Sequence, residues 1–255
     1  MLVALEHHGP LMIVRLNDPE RRNAMSEAMF RDLESALDQA EEDHAVRVIL
    51  LTGAGGTFCA GFDLGAAVEK PELIRTFIQR LSRLNRRLRQ SNAIIVAAAE
   101  GAALAGGCAL LTACDFVFAS PETKLGCPVH RIGVSPAVTI ATLSQMVGDG
   151  PARTLLMGGR IIAGDRAHEI GLITHLSATT EAIERDARAW CEALIEKPPR
   201  ALAITKGWLN ELDGSLHAER FGGPAEGSAE LAGGEEAVSM LERFWSRRRE
   251  GRAGS

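Results

Sequence analysis

The chain has 255 residues, 46% of them hydrophobic and 24% charged, and a formal net charge of -5. This length fits one large domain, or one domain with a small appendage. The negative charge does not favour nucleic acid or an anionic membrane as a partner, and the longest apolar run, 93–99, is too short to span a bilayer.

The N-terminus and the cysteines bear on where the protein resides. The segment MLVALEHHGP lacks a basic region followed by a long apolar stretch, so we expect no secretory signal. An odd number of cysteines without a CxxC pair does not favour a disulfide framework or a metal site. Reduced, mostly buried thiols fit this usage, so we expect a cytoplasmic protein. The cysteines are Cys59, Cys108, Cys114, Cys127 and Cys191.

The first elements are a hairpin, a helix and a strand. Two β-rich runs, 2–5 and 11–16, are split by Gly9-Pro10 and predict a hairpin. Ser26 offers an N-cap to a helix with one apolar face. That face consists of Met29, Phe30, Leu33, Ala36, Leu37 and Ala40. The apolar run 46–52 then predicts a buried strand.

Glycines and arginines mark the next segment. Four glycines between residues 53 and 61 predict a loop, and Pro71 suits the first turn of the helix that follows. The apolar stripe of this helix is Leu73, Ile74, Phe77, Leu81, Leu84 and Leu88. Its arginines, which we expect on a solvated or subunit-facing surface, are Arg75, Arg80, Arg83, Arg86, Arg87 and Arg89.

Strands and helices alternate through the rest of the chain, which indicates the α/β class. The runs 94–99 and 116–119 predict strands, and the glycines between them lead into a helix start at Cys108. Helical patterns begin near Pro136. Pro198-Pro199 divides the chain into a core, 1–197, and a helical C-terminal region, 198–255. The segment 222–224, Gly-Gly-Pro, predicts a loop before a final helix over 235–249.

Three short motifs follow one another at characteristic spacing. They read F-C-A-G-F-D-L at 58–64, A-L-A-G-G-C-A-L at 103–110 with Cys-Asp at 114–115, and L-G-C-P at 125–128. These are similar to the F-x-A-G-x-D-L, A-x-G-G-G-x-E-L…C-D and F-G-x-P-E patterns of the crotonase superfamily, the enoyl-CoA hydratase/isomerase family. Weaker matches extend the resemblance over nearly the whole chain at Asn17, Pro19, Asn23, Ala24, Gly133, Pro136 and 171–173.

The resemblance implies a fold and an assembly. The expected fold is a spiral of ββα turns followed by a helical C-terminal region. That region usually mediates homotrimers, or hexamers built from two trimers. In this chain Leu241, Phe244 and Trp245 give the final helix apolar surface to bury against a neighbour.

The resemblance also implies an oxyanion hole for a coenzyme A thioester, made by the backbone amides of Phe62 and Gly106. A thioester under attack or enolisation gathers negative charge on its carbonyl oxygen, and two fixed N–H donors stabilise that charge. Glycine lets the backbone approach a ligand closely. No metal and no cofactor other than the coenzyme A of the ligand is expected.

Contacts to coenzyme A follow from the same resemblance. The adenine is expected against the loop 59–62 and the backbone near Ala24. Its phosphates could meet Arg22, or Arg247 and Arg248 of a neighbouring subunit, although the helix macrodipole equally favours arginine at a C-terminal helix end. The full predicted ligand-binding set is Arg22, Ala24, Cys59, Ala60, Phe62, Asp63, Leu64, Gly106 and Val129.

The pattern breaks at the residues that move protons. Family hydratases carry two glutamates, and here those positions are Ala109 and Val129. The aspartate that some members use instead corresponds to Ala137. Methyl and isopropyl groups cannot activate water or deliver a proton. We therefore expect weak hydration of simple enoyl-CoA substrates.

Few side chains could replace the missing acids. His130 is a candidate because imidazole side chains commonly transfer protons, but on an extended segment it would point away from a ligand that Val129 faces. Neither Ser135 nor Cys127 has a visible base. Asp63 suits a turn-fixing role, and the sequence does not place the Glu100 side chain.

Three functions remain open on the sequence. The chain is a hydratase or isomerase of fatty-acid type that uses water or an unrecognised residue, a related decarboxylase or thioesterase, or an acyl-CoA-binding protein without catalysis. Function resides in the site rather than in the fold, so the resemblance alone does not separate them.

Overall fold

The predicted hairpin forms the start of the main sheet. In the computed structural model, which describes the backbone of residues 1–253 and the side chains of residues 1–247, β1 (Val3–His8) pairs antiparallel with β2 (Leu11–Leu16). Gly9 adopts a φ of 59° in the turn between them, a conformation that glycine accepts without strain.

The remaining strands form two sheets. Their bounds are β3 (Val48–Gly53), β4 (Ile94–Ala98), β5 (Ala102–Leu104), β6 (Phe116–Ala119), β7 (Lys124–Gly126), β8 (Ile161–Ala163) and β9 (His175–Leu176). The main sheet has the order β1-β2-β3-β4-β6-β9 and is parallel from β2 onward. The smaller sheet has the order β5-β7-β8. Each of its strands has three residues, too few to show the alternation of apolar and polar residues by which a strand is predicted from sequence.

Helices cover the sheets and make up most of the C-terminal region, as predicted for the α/β class. Their bounds are α1 (Glu27–Glu42), α2 (Leu64–Glu69), α3 (Glu72–Gln90), α4 (Gly106–Leu111), α5 (Ala137–Val147), α6 (Asp149–Gly158), α7 (Gly164–Glu169), α8 (Ile183–Ile195), α9 (Pro199–Leu212), α10 (Ala218–Ala232) and α11 (Glu235–Ala253). Short 3-10 helices occupy Pro19–Arg21, Val129–Ile132 and Thr180–Ala182.

The cap of α1 and the apolar faces of α1 and α3 confirm the sequence patterns. Ser26 Oγ accepts a hydrogen bond from the Met29 amide at 3.2 Å, which satisfies an orphan donor of α1. The apolar faces of both helices are buried in one core against one face of the main sheet. α8 packs on the opposite side of that sheet.

The arginine surface of α3 is more ordered than predicted. Arg80 forms a bidentate pair with Glu34 on α1, at 3.0 and 2.6 Å, and stacks over Phe30. Arg87 pairs with Asp38 and Glu41. Much of this charged face therefore holds α3 against α1 rather than facing only solvent.

The loop predicted over 222–224 is wrong. These residues lie inside α10, and Pro224 is an interior residue of that helix. Phe221, Ala225 and Ala229 are buried against α3 and α5, and Ser82 Oγ donates to the Phe221 carbonyl oxygen at 3.0 Å. This packing outweighs the poor helix propensity of Gly-Gly-Pro, and the chain instead breaks at Gly233-Gly234.

The apolar surface of the C-terminal region also differs from the prediction. Leu241 is only 2% exposed and belongs to the core of its own chain. The exposed apolar face lies on α9, where Ile204, Trp208 and Leu212 point outward while Lys206 is buried. The homotrimer and the division at residue 198 stay predictions, and Arg248 lies outside the side chains that the structure describes.

Two other expectations concern composition. All five cysteines are buried free thiols. Within residues 1–253, no helix is both long and apolar enough to cross a membrane.

Candidate active site

The first glycine-rich segment is held like an additional strand beside β5. The amides of Phe58 and Cys59 donate to the carbonyl oxygens of Glu100 and Ala102 at 2.9 and 3.1 Å, and the Leu104 amide donates to Cys59 at 3.0 Å. The loop 58–62 is therefore fixed to the strand that leads directly into α4.

The opposite edge of the same loop pairs with Met25. The Met25 amide donates to Gly61 at 2.8 Å, and the Asp63 amide donates to Met25 at 3.1 Å. This is a parallel bridge between Met25 and Phe62, in which the residues that flank Phe62 make the bonds. The Phe62 amide consequently points away from Met25, and it has no acceptor within the described part of the chain.

The second amide lies at the start of α4. Gly106 is the first residue of this helix, so its N–H has no acceptor inside the helix. The two segments touch: a Cβ added to Gly61 would lie 3.5 Å from Gly106 N, and one added to Gly107 would lie 2.4 Å from Cys59 O. Glycine at these positions brings the amides of Phe62 and Gly106 to one wall.

Ala105 occupies a conformation that suits glycine. Its φ and ψ are 50° and -113°, a region that costs a residue with a Cβ about 1–3 kcal/mol. In the superfamily pattern this position is the first glycine of G-G-G. Ala105 therefore holds the turn that aims the Gly106 amide under local strain.

Ala105→Gly is expected to stabilise the fold by about 1 kcal/mol, because relief of strain exceeds the extra unfolded-state entropy of glycine. The melting temperature should rise by roughly 2–4 °C for a chain of this size. Ala36→Gly inside α1 is the control, and it should lower stability by about 1 kcal/mol. A similar loss in both variants would show that Ala105 is unstrained.

Both amides border a cavity of about 240 Å³. Its wall is almost entirely apolar, and Arg22 and Arg131 are its only charged residues among those described. The lining residues are Arg22, Ala60, Phe62, Leu64, Ile74, Leu104, Ala105, Gly106, Pro128, Val129, Arg131, Ile132, Val134, Ile161 and Phe244. Six predicted site residues thus meet here: Arg22, Ala60, Phe62, Leu64, Gly106 and Val129.

Three other predicted residues support this wall from behind. Cys59 Sγ accepts a hydrogen bond from the Gly61 amide at 3.4 Å, and burial raises the pKa of the Cys59 thiol to about 12, so it stays protonated. Asp63 Oδ1 caps α2 by accepting from the Gly65 and Ala66 amides at 3.1 and 3.3 Å. Ala24 is buried beside the Met25 bridge.

His130 lies away from the cavity. The segment that carries it is a 3-10 helix rather than the extended strand expected from the sequence. In a 3-10 helix residues i and i+3 share a face, which explains why Val129 and Ile132 both line the cavity. His130 is exposed, and its Nδ1 would lie 3.7 Å from a Cβ added to Gly159.

The positions of the missing acids differ in their access to the cavity. Val129 lines it, whereas Ala109 and Ala137 are buried outside its wall. The Ala109 carbonyl oxygen accepts from Asn85 Nδ2 at 2.8 Å and Thr112 Oγ1 at 2.7 Å. In the described part of the chain, the wall contains no carboxylate, imidazole or hydroxyl side chain that could exchange a proton with a ligand.

Glu100 is also removed from this wall. Burial raises the pKa of Glu100, and the nearby negative charge of Glu184 acts in the same direction. Its other charged neighbours are Glu181 and Arg15, and Arg15 forms a bidentate pair with Glu184 at 2.8 Å. The carboxyl group thus belongs to a cluster around α8, outside the cavity.

Asn23 explains why the N-terminal turn reaches the cavity. Its buried side chain accepts from the Asp18 amide and donates to the carbonyl oxygens of Ala54 and Thr57. Arg22 next to it has a φ of 55°, and its carbonyl oxygen accepts from Ala60 at 3.0 Å. Arg131, Ile132 and Phe244 were not predicted to line the cavity. The i+3 spacing from Val129 was a local signal for Ile132 alone.

Known proteins resemble this chain over most of its length. A sequence profile described as Enoyl-CoA hydratase/isomerase matches residues 6–218. A Thermus thermophilus protein, provisionally named an enoyl-CoA hydratase, is 37% identical over 210 residues, 81% of this chain and 83% of the relative.

Solved structures agree with the sequence matches. An enoyl-CoA hydratase from Mycobacterium avium superposes with a TM-score of 0.81 at 31% identity, covering 96% of each chain. An enoyl-CoA hydratase/isomerase from Xanthobacter autotrophicus Py2 gives 0.87 at 27% identity, covering 99% of this chain and 95% of that one. With the motif order, the profile match and the shared fold, the chain belongs to the enoyl-CoA hydratase/isomerase family of the crotonase superfamily.

Proposed function

We propose that the protein binds an acyl-CoA thioester with its carbonyl oxygen between the amides of Phe62 and Gly106. The observation that carries this proposal is a pair of amides that have no acceptor among the described residues and that two hydrogen-bonded segments bring to the wall of one apolar cavity. Each such donor contributes about 3 kcal/mol to an oxyanionic transition state.

The cavity suits the thioester and a short acyl group. At about 240 Å³ it lies below the usual size of a site for a whole cofactor. The nucleotide part of coenzyme A would therefore lie along the surface, starting at Arg22 and Ala60. Apolar walls exclude water and strengthen the polarisation of the carbonyl group.

The same walls argue against efficient hydration. Hydration requires a group that activates water and another that protonates the α-carbon. Val129 offers neither, and the Ala109 side chain does not reach the cavity. We propose that the hydratase activity of this family member is residual and depends on water and oxyanion stabilisation alone.

Decarboxylation of a thioester that carries a carboxyl group on its α-carbon, a malonyl-type thioester, is the second candidate. Here the bond to the carboxyl carbon breaks, CO₂ leaves, and the electron pair remains as an enolate whose oxygen the two amides stabilise. No base is needed, and water can protonate the enolate afterwards. The absence of proton-transferring side chains from the described wall favours this reaction over ester hydrolysis.

Removal of the Gly106 amide is expected to weaken binding of a ketone analogue of butyryl-CoA, in which CH₂ replaces the thioester sulfur. Proline lacks the N–H but is tolerated at the first position of a helix. A proline at position 106 disfavours the ψ angle that Ala105 adopts. Gly106→Pro and its control, Gly106→Ala, are therefore both made in the Ala105→Gly background. Gly106→Pro should bind the ketone about 10- to 100-fold more weakly by calorimetry.

Gly106→Ala is the matched control, because it retains the amide while adding a Cβ. That Cβ would lie 3.1 Å from the Phe62 ring, so a small loss is expected. A matching thioether analogue without the carbonyl oxygen should bind both variants equally. The proposal fails if the ketone does not bind the native protein, or if proline and alanine weaken ketone binding alike.

A further inference from the structure

Three arginines surround a groove that adjoins the acyl cavity. The groove has a volume of about 710 Å³ and is lined by Arg131, Met240, Arg243, Phe244 and Arg247. Arg131 and Phe244 also line the smaller cavity. A ligand that fills the cavity past Phe244 therefore reaches these guanidinium groups.

The groove is built from two elements in direct contact. The 3-10 helix that carries Val129 and Arg131 ends at Gly133, where an added Cβ would lie 2.7 Å from the Ala237 Cα of α11. No side chain larger than hydrogen fits there. This contact sets the distance between Arg131 and the arginines of α11.

None of the three guanidinium groups is neutralised within the described part of the chain. Among the described side chains, Arg243 donates only to Ser239 of its own helix, and no carboxylate lines the groove. In contrast, Arg80, Arg87 and Arg15 all form ion pairs. Arg131 thus places positive charge, without a counterion among the side chains of residues 1–247, at the edge of an apolar cavity, where a bound anion would be favourable.

The position of Arg131 selects the kind of anion. If the carbonyl oxygen lies at Phe62 and Gly106 and coenzyme A leaves past Arg22 and Ala60, the acyl group extends toward Val129 and Phe244. Arg131 lines the cavity together with Val129 and Phe244, and it lines the adjoining groove together with Phe244. A planar guanidinium matches a carboxylate through two parallel hydrogen bonds.

We propose that Arg131, with Arg243 and Arg247 beside it, binds a carboxylate at the end of the acyl group. The ligands of this site are then coenzyme A thioesters of dicarboxylic acids. This inference rests on the proposed function, because it requires the thioester to occupy the cavity.

Calorimetry with paired ketone analogues tests the proposal. Butyryl, pentanoyl and hexanoyl analogues are compared with the succinyl, glutaryl and adipoyl analogues of the same chain lengths. For at least one length, the carboxylated ligand should bind about 10- to 100-fold more tightly than its neutral partner. Arg131→Met should abolish this preference, while Arg131→Lys should restore part of it.

The control variant is Arg83→Met, which removes an exposed arginine of α3 outside both cavities. It should not alter the preference. Analogues built on pantetheine, which lacks the phosphates, show whether the arginines bind the acyl carboxylate or the phosphates of coenzyme A. The carboxylate preference should persist in these shortened ligands.

The outcomes distinguish the two proposals. If neutral analogues bind but no carboxylated ligand binds more tightly, the inference is overturned and the proposed function stands. If Arg131→Met weakens both ligand types equally, and only when the phosphates are present, the groove binds coenzyme A phosphate instead. If no analogue binds, the proposed function fails and this inference fails with it.

Discussion

This protein should hydrate crotonyl-CoA at least about 10⁴-fold more slowly than a family member that carries both glutamates. A general acid or base typically contributes about 10²- to 10⁴-fold, and both are replaced here by Ala109 and Val129. Oxyanion stabilisation and orientation remain, so a low residual rate is expected. Loss of enoyl absorbance under steady-state conditions measures the rate.

Restoring the acids tests the same point from the other side. Val129→Glu places a carboxyl group on the cavity wall, and Ala109→Glu adds the second acid. The double variant should hydrate crotonyl-CoA faster than the native protein, whereas the Gln/Gln variant of similar shape should not. Ala109 is packed beside Asn85, whose Oδ1 has no hydrogen-bond partner in the described chain, so a protonated glutamate could donate there.

An ordinary hydratase rate in the native protein would contradict this interpretation. His130→Ala would then be the next variant, although His130 is exposed and outside the cavity. A rate unchanged by that substitution would assign proton transfer to water. Ligand binding measured in parallel separates a lost acid from a lost site.

Lys206→Met is expected to destabilise the protein by about 3–5 kcal/mol, because it leaves a poorly solvated carboxylate without its cation. Lys206 is 5% exposed. Its Nζ pairs with Asp115 Oδ2 at 2.7 Å and donates to the carbonyl oxygens of Leu88 and Ala93 at 3.1 and 2.8 Å. For a chain of this size, the melting temperature should fall by roughly 6–20 °C.

The matched control is Lys197→Met, an exposed lysine just before α9, which should change stability by less than about 0.5 kcal/mol. The Lys206→Met/Asp115→Asn pair should recover part of the loss, since no charge is then left alone. Equal losses in both lysine variants would show that the buried pair does not stabilise the fold. Urea unfolding followed by circular dichroism provides the free energies.

The sequence determined the elements whose local signals agree with their environment. The hairpin 3–16, the Ser26 cap and the faces of α1 and α3 were predictable, because turn chemistry and apolar periodicity act over a few residues. The motif order indicated the family. The identities of Ala109 and Val129 also showed directly that the usual acids are missing.

The tertiary structure decided what depends on residues distant in the chain. α10 forms through Gly-Gly-Pro because its apolar face has α3 and α5 to pack against, and Asp115 acquires its role only when Lys206 arrives from α9. Propensity is worth about 1 kcal/mol for each residue, less than packing can supply.

The composition of the site was decided in the same way. Arg131 and Phe244 are more than 100 residues apart, and they share a cavity wall because Gly133 admits α11 at close range. The segment Val129–Ile132 forms a 3-10 helix rather than the predicted extended strand. Ile132 rather than His130 therefore lies on the same face as Val129. Local patterns carry no information on such contacts, since these depend on how whole elements pack. The sequence therefore predicted the two amides of the candidate site, and the fold determined which side chains surround them.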